Sequence, residues 1–254
     1  VDSLQGRYIT AEDVGTTTRD MDIIRKETRW VLGTSVAMGG SGDPSPVTAR
    51  GLYAGTRAVA ESIWGTPDLA DRTFAVQGVG KVGSAFVQLL IEARAKVVIA
   101  DSFPPALEKA KEKFGVDTVA LSDIHKVDCD IFSPCALGGV LNEETIPEMN
   151  CRAVVGSANN QLTTEKDAQR LADRGILYAP DFVVNAGGVI NVYDQLTGYS
   201  KTRALHLVDS IYDVTKNILD LAETEGILPN LAAEHVAEKR IQEIGDLRRF
   251  RRSG

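Results

Sequence analysis

The sequence has few of the residues that form disulfides or bind metal ions. Its three cysteines contain no CxxC pair, and its three histidines are scattered along the chain. They are Cys129, Cys135 and Cys151, and His125, His206 and His235. These numbers and spacings argue against a disulfide framework and give no metal-binding constellation. We therefore expect reduced thiols in a cytoplasmic protein that binds no metal.

Long apolar runs and an excess of positive charge are also missing. No stretch approaches the length of a membrane span, and we expect no signal peptide. The formal net charge is −7, from 28 basic and 35 acidic residues, which argues against a nucleic-acid or anionic-membrane surface. The basic stretch at residues 248–252 is expected to be a solvated tail or a helix end. We thus expect neither a nucleic-acid partner nor a membrane partner.

What the sequence does contain is a glycine motif between two short apolar runs. Residues 73–77 predict a β-strand, and Gly78, Gly80 and Gly83 follow it with the spacing G-x-G-x-x-G. A helical apolar pattern comes next, and a second predicted strand ends in Asp101. In such a unit the first glycine permits the turn, the second admits a diphosphate, and the third lets the helix pack closely.

This arrangement predicts a dinucleotide-binding βαβ unit, with the diphosphate at the helix N-terminus. Asp101 stands where a carboxylate can accept hydrogen bonds from ribose hydroxyls. It would repel a 2′-phosphate, so it favours NAD over NADP. Lys81, inside the loop, is a partial counter-argument, since a lysine can neutralise phosphate. The alternative interpretation is an ordinary βαβ unit with a glycine-rich turn.

The rest of the chain alternates strands, small-residue loops and helices. Loops of this kind follow the predicted strand ends at Gln77, Asp101, Pro134, Gly156 and Val184. The alternation predicts an α/β fold with a doubly wound parallel sheet, a Rossmann dinucleotide-binding domain covered on both faces. The five loops should then share the carboxyl edge of the sheet, where ligands bind in such folds.

The N-terminal part of the chain has a different pattern. Residues 7–10 predict a short strand, and residues 21–28 predict a helix. Asp13 lies between them. Because Thr18 or Asp20 is a better N-cap for this helix, the Asp13 carboxylate is available for other work.

The remaining segments are a loop and three helices. Residues 33–46 are rich in glycine, serine and proline, which predicts a loop and a domain boundary. Apolar spacing predicts helices at residues 48–63, 202–222 and 231–244. Nothing in the last two helices suggests chemistry.

Several longer motifs carry a resemblance to a known family. They are GRYITAEDVG at 6–15, GSGDPS at 40–45, GVGKVG at 78–83, PCALGG at 134–139, ANNQL at 158–162, YAPD at 178–181 and NAGG at 185–188. With these motifs the chain resembles the glutamate/leucine/phenylalanine/valine dehydrogenases over essentially its whole length. It looks most like the leucine and valine dehydrogenases.

The resemblance implies the reversible oxidative deamination of an L-amino acid to a 2-oxo acid and ammonia, with NAD as hydride acceptor. It implies that Asp13 is the general base. A carboxylate suits this role where its surroundings tune its pKa. The resemblance also implies a homo-oligomer.

Binding residues are also implied by the resemblance. Those for the cofactor are Thr48, Gly78, Val79, Gly80, Lys81, Val82, Gly83, Ser84, Asp101, Ala136, Leu137, Ala158, Asn159, Asn160 and Asn185. Asn185 would also contact the substrate, whose side chain would lie against Ala11, Val189 and Val192. This small apolar set favours leucine, valine or isoleucine, and such a pocket discriminates one methylene by only roughly 1–3 kcal/mol.

The chain departs from the family pattern in one respect. Family members carry an N-terminal substrate domain with a lysine on a glycine-rich loop and a second lysine for the substrate carboxylate, and no such stretch is found here. We expect residues 1–33 to be the end of that domain, residues 34–228 the NAD-binding domain, and residues 229–254 a C-terminal helix that returns to the substrate domain.

Such a chain alone should bind NAD but turn over poorly, since losing one positioning or charge-stabilising group commonly costs ~10²–10³ in rate. The alternative is a stand-alone NAD-binding module or partner subunit without dehydrogenase activity of its own.

Overall fold

The fold is built on one parallel sheet. The computed structural model describes residues 1–13 and 15–252, with side chains up to residue 245. The strands are β1 (Thr73–Gln77), β2 (Lys96–Ala100), β3 (Asp117–Thr118), β4 (Ile131–Pro134), β5 (Ala153–Val154) and β6 (Leu177–Tyr178). Their order in the sheet is β3-β2-β1-β4-β5-β6. This is the order of a doubly wound dinucleotide-binding sheet, and it confirms the predicted fold class.

Helices cover this sheet and extend beyond it. They are α1 (Thr18–Arg25), α2 (Ser45–Trp64), α3 (Lys81–Glu92), α4 (Pro104–Phe114), α5 (Glu165–Asp173), α6 (Asp181–Val184), α7 (Gly187–Tyr193), α8 (Lys201–Asp209), α9 (Ile211–Glu225) and α10 (Pro229–Arg252). No described helix is both long and apolar enough to cross a membrane.

The alternation of side chains along β1 gives the sheet two apolar faces. Phe74 and Val76 point into a core that includes Leu52 of α2 and Phe86 of α3, all fully buried. Ala75 points to the other face, into a second cluster on the side of α5. Because both faces are buried, the carboxyl edge of the sheet is left as the place for a ligand.

The predicted strand at residues 7–10 is wrong. Only Thr10 pairs, in a single parallel bridge with Val31. Two hydrogen bonds make this bridge, from Thr10 N to Trp30 O and from Leu32 N to Thr10 O, and no ladder forms along the described residues on either side. An isolated pair of this kind cannot nucleate a strand without a neighbouring segment in register.

The predicted N-cap of the first helix is also wrong. Thr17, not Thr18 or Asp20, is the N-cap of α1. Asp20 still takes part, since its Oδ2 accepts a hydrogen bond from Thr17 N at 2.8 Å. The two residues therefore form a capping box one residue earlier than expected.

The expected strand end at Val184 is a third error. Residues 181–184 form the single-turn helix α6, and Gly187 begins α7. Two tertiary contacts favour the helix. Asp181 Oδ2 accepts a hydrogen bond from Gln161 N at 2.9 Å, and Val184 packs so closely on α2 that a Cβ on Gly55 would lie 2.6 Å from its Cγ1.

Other differences are smaller. The sequence did not predict β3 or α5, and the helix expected over residues 202–222 is divided into α8 and α9 at Ser210. The last helix starts at Pro229, a favoured first position for proline, and continues to Arg252. The side chains of the basic stretch at 248–252 lie outside the described residues.

Candidate cofactor and active site

The glycine loop (residues 78–84) has the geometry that a dinucleotide diphosphate requires. Gly78 has a φ of 98°, and a Cβ there would lie 2.8 Å from the Cβ of Ala136. A Cβ on Gly83 would overlap the carbonyl oxygen of Gly78. By contrast, a Cβ on Gly80 would meet no atom within 4 Å. Gly78 and Gly83 therefore allow close packing, while Gly80 leaves open space at the N-terminus of α3, where a diphosphate can approach the backbone.

Asp101 holds the glycine loop in place. Its Oδ2 accepts a hydrogen bond from Val79 N at 2.7 Å, and its Oδ1 accepts one from Phe103 N at 2.8 Å. Ser84 Oγ donates to the carbonyl oxygen of Val79 at 2.6 Å. A carboxylate oxygen can accept more than one hydrogen bond, so the partly exposed Asp101 can also accept bonds from ribose hydroxyls. Orienting the loop is a role of this acid that the sequence did not predict.

The loops that follow β4 and β5 are tied together at the same edge. Gly139 N donates a hydrogen bond to Asn160 O at 2.8 Å, and Asn160 has a φ of 52°. Ala136 lies against Gly78, as described above, and Leu137 is 80% exposed. Ala158, in the loop after β5, is buried. Ala136 is therefore a neighbour of the glycine loop, and the loop after β5 is joined to the loop that carries Ala136.

Two amide side chains meet farther along this edge. Nδ2 of Asn185, at the end of α6, donates to Oδ1 of Asn159 at 2.6 Å and lies 3.4 Å from the carbonyl oxygen of Ser157. Thr48 lies where α2 meets α7, since a Cβ on Gly188 would lie 2.6 Å from its Oγ1. Although Val184 does not end a strand, the structure still brings Asn185 to the predicted edge.

The three predicted pocket residues lie on two separate elements. Val189 and Val192 are three residues apart on α7 and so share a helix face. Val189 is 70% exposed, and Val192 is half-buried. Ala11 belongs to the N-terminal segment (residues 1–33) and is partly exposed. A pocket formed by all three stays a prediction.

Asp13 lies in a turn before α1. Its N–H donates to Thr16 Oγ1 at 2.9 Å, and its carbonyl oxygen accepts hydrogen bonds from Thr16 N at 3.0 Å and from Thr16 Oγ1 at 2.8 Å. The residue as a whole is exposed. These bonds fix the backbone at Asp13 while the residue remains accessible to a bound molecule.

Lys81 joins the N-terminal segment to the glycine loop. Its Nζ lies 3.2 Å from Oε1 of Glu12 and 3.6 Å from Oδ2 of Asp43. The hydrogen bond to Glu12, with the charges of both acids, raises the pKa of Lys81 above its ordinary value. Partial burial opposes ionisation of Asp43, but its hydrogen bonds with Ser45 and the nearby Lys81 outweigh this and lower its pKa.

Sequence reasoning missed Glu12 and Asp43. Both acids stand inside the motifs that carry the family resemblance, and Glu12 is the neighbour of Asp13. Their proximity to Lys81 could not be derived from spacing, because Glu12 and Lys81 are 69 residues apart in the chain.

Comparison with known proteins identifies the family of this chain. The family model described as Glutamate/Leucine/Phenylalanine/Valine dehydrogenase matches residues 39–103 and 100–244. The chain belongs to this dehydrogenase family. The family match includes the glycine loop, Asp101 and Asn185, and it begins after Asp13.

Individual members of the dehydrogenase family are similar over nearly the whole chain. A leucine dehydrogenase of Thermoactinomyces intermedius is 48% identical over 242 residues, which are 95% of this chain and 66% of that protein. A valine dehydrogenase of Streptomyces albus is 47% identical over 246 residues, which are 96% of this chain and 68% of that protein. This chain spans about two thirds of the length of these curated relatives.

A solved structure shows the same architecture. The L-tryptophan dehydrogenase of Nostoc punctiforme aligns with a TM-score of 0.84 at 41% identity. The alignment covers 95% of this chain and 70% of that chain. The similarity therefore includes the arrangement of the sheet and its loops as well as the family motifs.

Proposed function

We propose that this protein catalyses the NAD-dependent, reversible oxidative deamination of a branched-chain L-amino acid to its 2-oxo acid and ammonia. The observation that carries the proposal is the glycine loop, which is held by Asp101 and lies on the same sheet edge as the Asn159–Asn185 pair. Its relatives named leucine and valine dehydrogenase support the reaction and the substrate class.

The residues at this edge fit an NAD molecule. The open space beside Gly80 and the N-terminus of α3 suit a diphosphate, and Asp101 suits the adenosine ribose. Lys81 adds a positive charge beside the loop. The nicotinamide end would be held by Thr48, Asn159, Asn160 and Asn185. When bound, NAD supplies the acceptor for the hydride that leaves the substrate Cα.

Asp13 would act as the general base of this reaction. Deamination needs a group that takes a proton from the water that adds to the imine carbon and returns one to the departing amine. The carboxylate of an exposed residue, on a backbone fixed by Thr16, can hold and return such protons at its oxygens. Asn185, oriented by its bond to Asn159, would contact the substrate.

The substrate side chain would lie against Ala11, Val189 and Val192. The 70% exposure of Val189 supports this, because an apolar side chain exposed at a site edge is available for contact. In the same proposal, residues 1–33 end a substrate domain, residues 34–228 bind NAD, and residues 229–254 form a helix returning to the substrate domain. The protein would be a cytoplasmic homo-oligomer.

Replacing Asp13 by asparagine tests this proposal. In the full product of the gene, Asp13→Asn should lower kcat with leucine by about 10²–10⁴, the usual contribution of a positioned general base. The Kd for NAD should stay within about twofold, because Asp13 does not hold the cofactor. Asp213→Asn, in an exposed position at the start of α9, is the matched control and should change neither value.

Two results would count against the proposal. A large loss of NAD affinity in Asp13→Asn would contradict the assignment of this residue as the base. NAD binding without turnover of leucine, valine or isoleucine by the wild-type full product of the gene would favour an NAD-binding module or partner subunit instead.

A further inference from the structure

Lys81 connects the proposed cofactor site with the segment that carries Asp13. Lys81 is the first residue of α3, and its side chain is 59% exposed, whereas the side chain of its partner Glu12 is 7% exposed. A buried carboxylate requires a paired charge or hydrogen bonds. Glu12 obtains both, from Lys81 at 3.2 Å and from Thr18 Oγ1, which donates to its Oε2 at 2.8 Å.

These contacts form a continuous path into the N-terminal segment. Thr18 is the first residue of α1, so the path runs from the glycine loop through Lys81 and Glu12 to the start of that helix. Glu12 is also bonded through the backbone to Asp13, the next residue. The Lys81 ammonium is therefore linked, through the Glu12 side chain, to the segment that carries the proposed base.

We propose that Lys81 couples cofactor binding to the position of the N-terminal segment. This inference rests on the proposed function, because its ligand is the diphosphate of NAD. An ammonium group has three N–H donors, and Glu12 and Asp43 lie in two of the directions open to them. A phosphate oxygen takes the third, so that Lys81 bridges the bound diphosphate and Glu12. Lys81 and Glu12 are positioning residues, which act on Asp13 through the segment.

The charges at this place predict different effects for the two positioning residues. One lysine between Glu12 and Asp43 leaves a net negative charge beside the glycine loop, which opposes a diphosphate. Removing the charge of Glu12 should therefore leave NAD binding equal or tighter. Removing Lys81 should weaken NAD binding by about tenfold, the value of one charge-assisted hydrogen bond. Both changes should break the coupling.

Hydrogen exchange with and without saturating NAD measures the coupling separately from affinity. The informative amides are those of residues 16–21, which include the first turn of α1. In the wild-type protein, NAD should slow their exchange at least fivefold. In Lys81→Met and Glu12→Gln, each saturated with NAD according to its own Kd, NAD should change the exchange rates of these amides by less than twofold. Lys81→Arg should keep the wild-type response, because it retains the charge and several donors.

The matched controls are Lys96→Met, at the amino end of β2, and Glu112→Gln, in the last turn of α4. Both side chains are exposed, and both variants should keep the wild-type response to NAD. If NAD still slows exchange at residues 16–21 in Lys81→Met or Glu12→Gln, the proposed coupling is wrong. The proposed NAD site would not be affected by this result. Absence of NAD binding to the wild-type protein would instead overturn the proposed function, and the coupling with it.

Discussion

The glycine loop and the N-terminal segment are positioned by different kinds of interaction. The loop follows β1, in which Val76 is fully buried, and precedes the fully buried Phe86 of α3. The close approach of Gly83 to the carbonyl oxygen of Gly78 fixes the loop against this helix. In the N-terminal segment, Met21 and Val31 are the buried hydrophobic residues among those the structure describes. The segment has little apolar packing of its own.

Polar side chains supply what the segment lacks in packing. Thr28 Oγ1 donates to Asp2 Oδ1 at 2.9 Å, Gly33 N donates to Gln195 Oε1 at 3.3 Å, and Lys81 contacts Glu12 at 3.2 Å. Individual bonds of this type contribute about 1 kcal/mol each. A ligand that changes one of them can therefore change the position of the segment, whereas the loop should be insensitive to such changes. Four predictions test this difference.

The largest effect is expected at the base of the glycine loop. Gly83→Ala places a Cβ against the carbonyl oxygen of Gly78, so α3 must move away from the sheet. We expect a loss of about 3 kcal/mol in the free energy of unfolding, at the upper end for overpacking, measured by urea denaturation.

Gly65→Ala would not serve as a control, because Gly65 has a φ of 70°. Gly80→Ala is suitable, since its Cβ meets no atom within 4 Å and its φ is −65°. A Gly83→Ala variant as stable as Gly80→Ala would show that the loop is not fixed by packing.

A smaller effect is expected at the turn of Asp194 and Gln195, which contacts the N-terminal segment at Gly33. Asp194 is 2% exposed, receives hydrogen bonds from Arg203 and Ser200, and precedes Gln195, the partner of Gly33. Asp194→Asn should lower the free energy of unfolding by about 2 kcal/mol at pH 7, less than for a fully buried pair because Arg203 is half-exposed.

This loss should depend on pH. The hydrogen bond from Arg203 is the largest cause of a lowered pKa for Asp194 in the folded protein. The stabilisation is therefore complete above the ordinary Asp value of 3.8, and it disappears as the pH falls through the lower, folded value. A difference between wild type and Asp194→Asn that stays constant down to pH 2 would contradict this explanation.

A local effect is expected at the N-cap of α1. Thr17→Ala removes the hydroxyl from a capping box with Asp20 and should destabilise α1 by about 1 kcal/mol. Because the segment has little packing, faster amide exchange should be confined to residues 18–21, and the urea midpoint should be unchanged. A fall in the urea midpoint that corresponds to about 1 kcal/mol of global stability would mean that the segment unfolds together with the sheet.

The smallest effect is expected for a surface ion pair. Arg50 Nε lies 2.6 Å from Asp209 Oδ1, with both side chains nearly half exposed. Arg50→Gln should cost less than about 1 kcal/mol, and this cost should vanish at high salt. A larger and salt-independent loss would show that exposed ion pairs contribute to the stability of this fold beyond the usual range of about 0–1 kcal/mol.

The sequence predicted best those parts of the fold that depend on local pattern. The bounds of β1 and the close packing at Gly78 and Gly83 follow from apolar spacing and glycine stereochemistry, and the structure agrees with them. These features need no information from distant residues.

The errors and omissions come from distant contacts. Val183 and Val184 have high strand propensity, but the packing of Val184 on α2 and the bond between Asp181 and Gln161 favour a helix. The Lys81–Glu12 contact is another case, since no local pattern connects two residues on separate elements. The site roles that depend on family resemblance remain proposals for the same reason.

The most direct test of the central claim is calorimetric titration of NAD into the wild-type protein and Gly80→Ala. Our proposal places the diphosphate in the open space beside Gly80. We predict saturable binding to the wild type, and binding at least about tenfold weaker to Gly80→Ala, with the same urea midpoint for both proteins. Equal affinity of the two proteins for NAD would contradict the assignment of the glycine loop as the cofactor site.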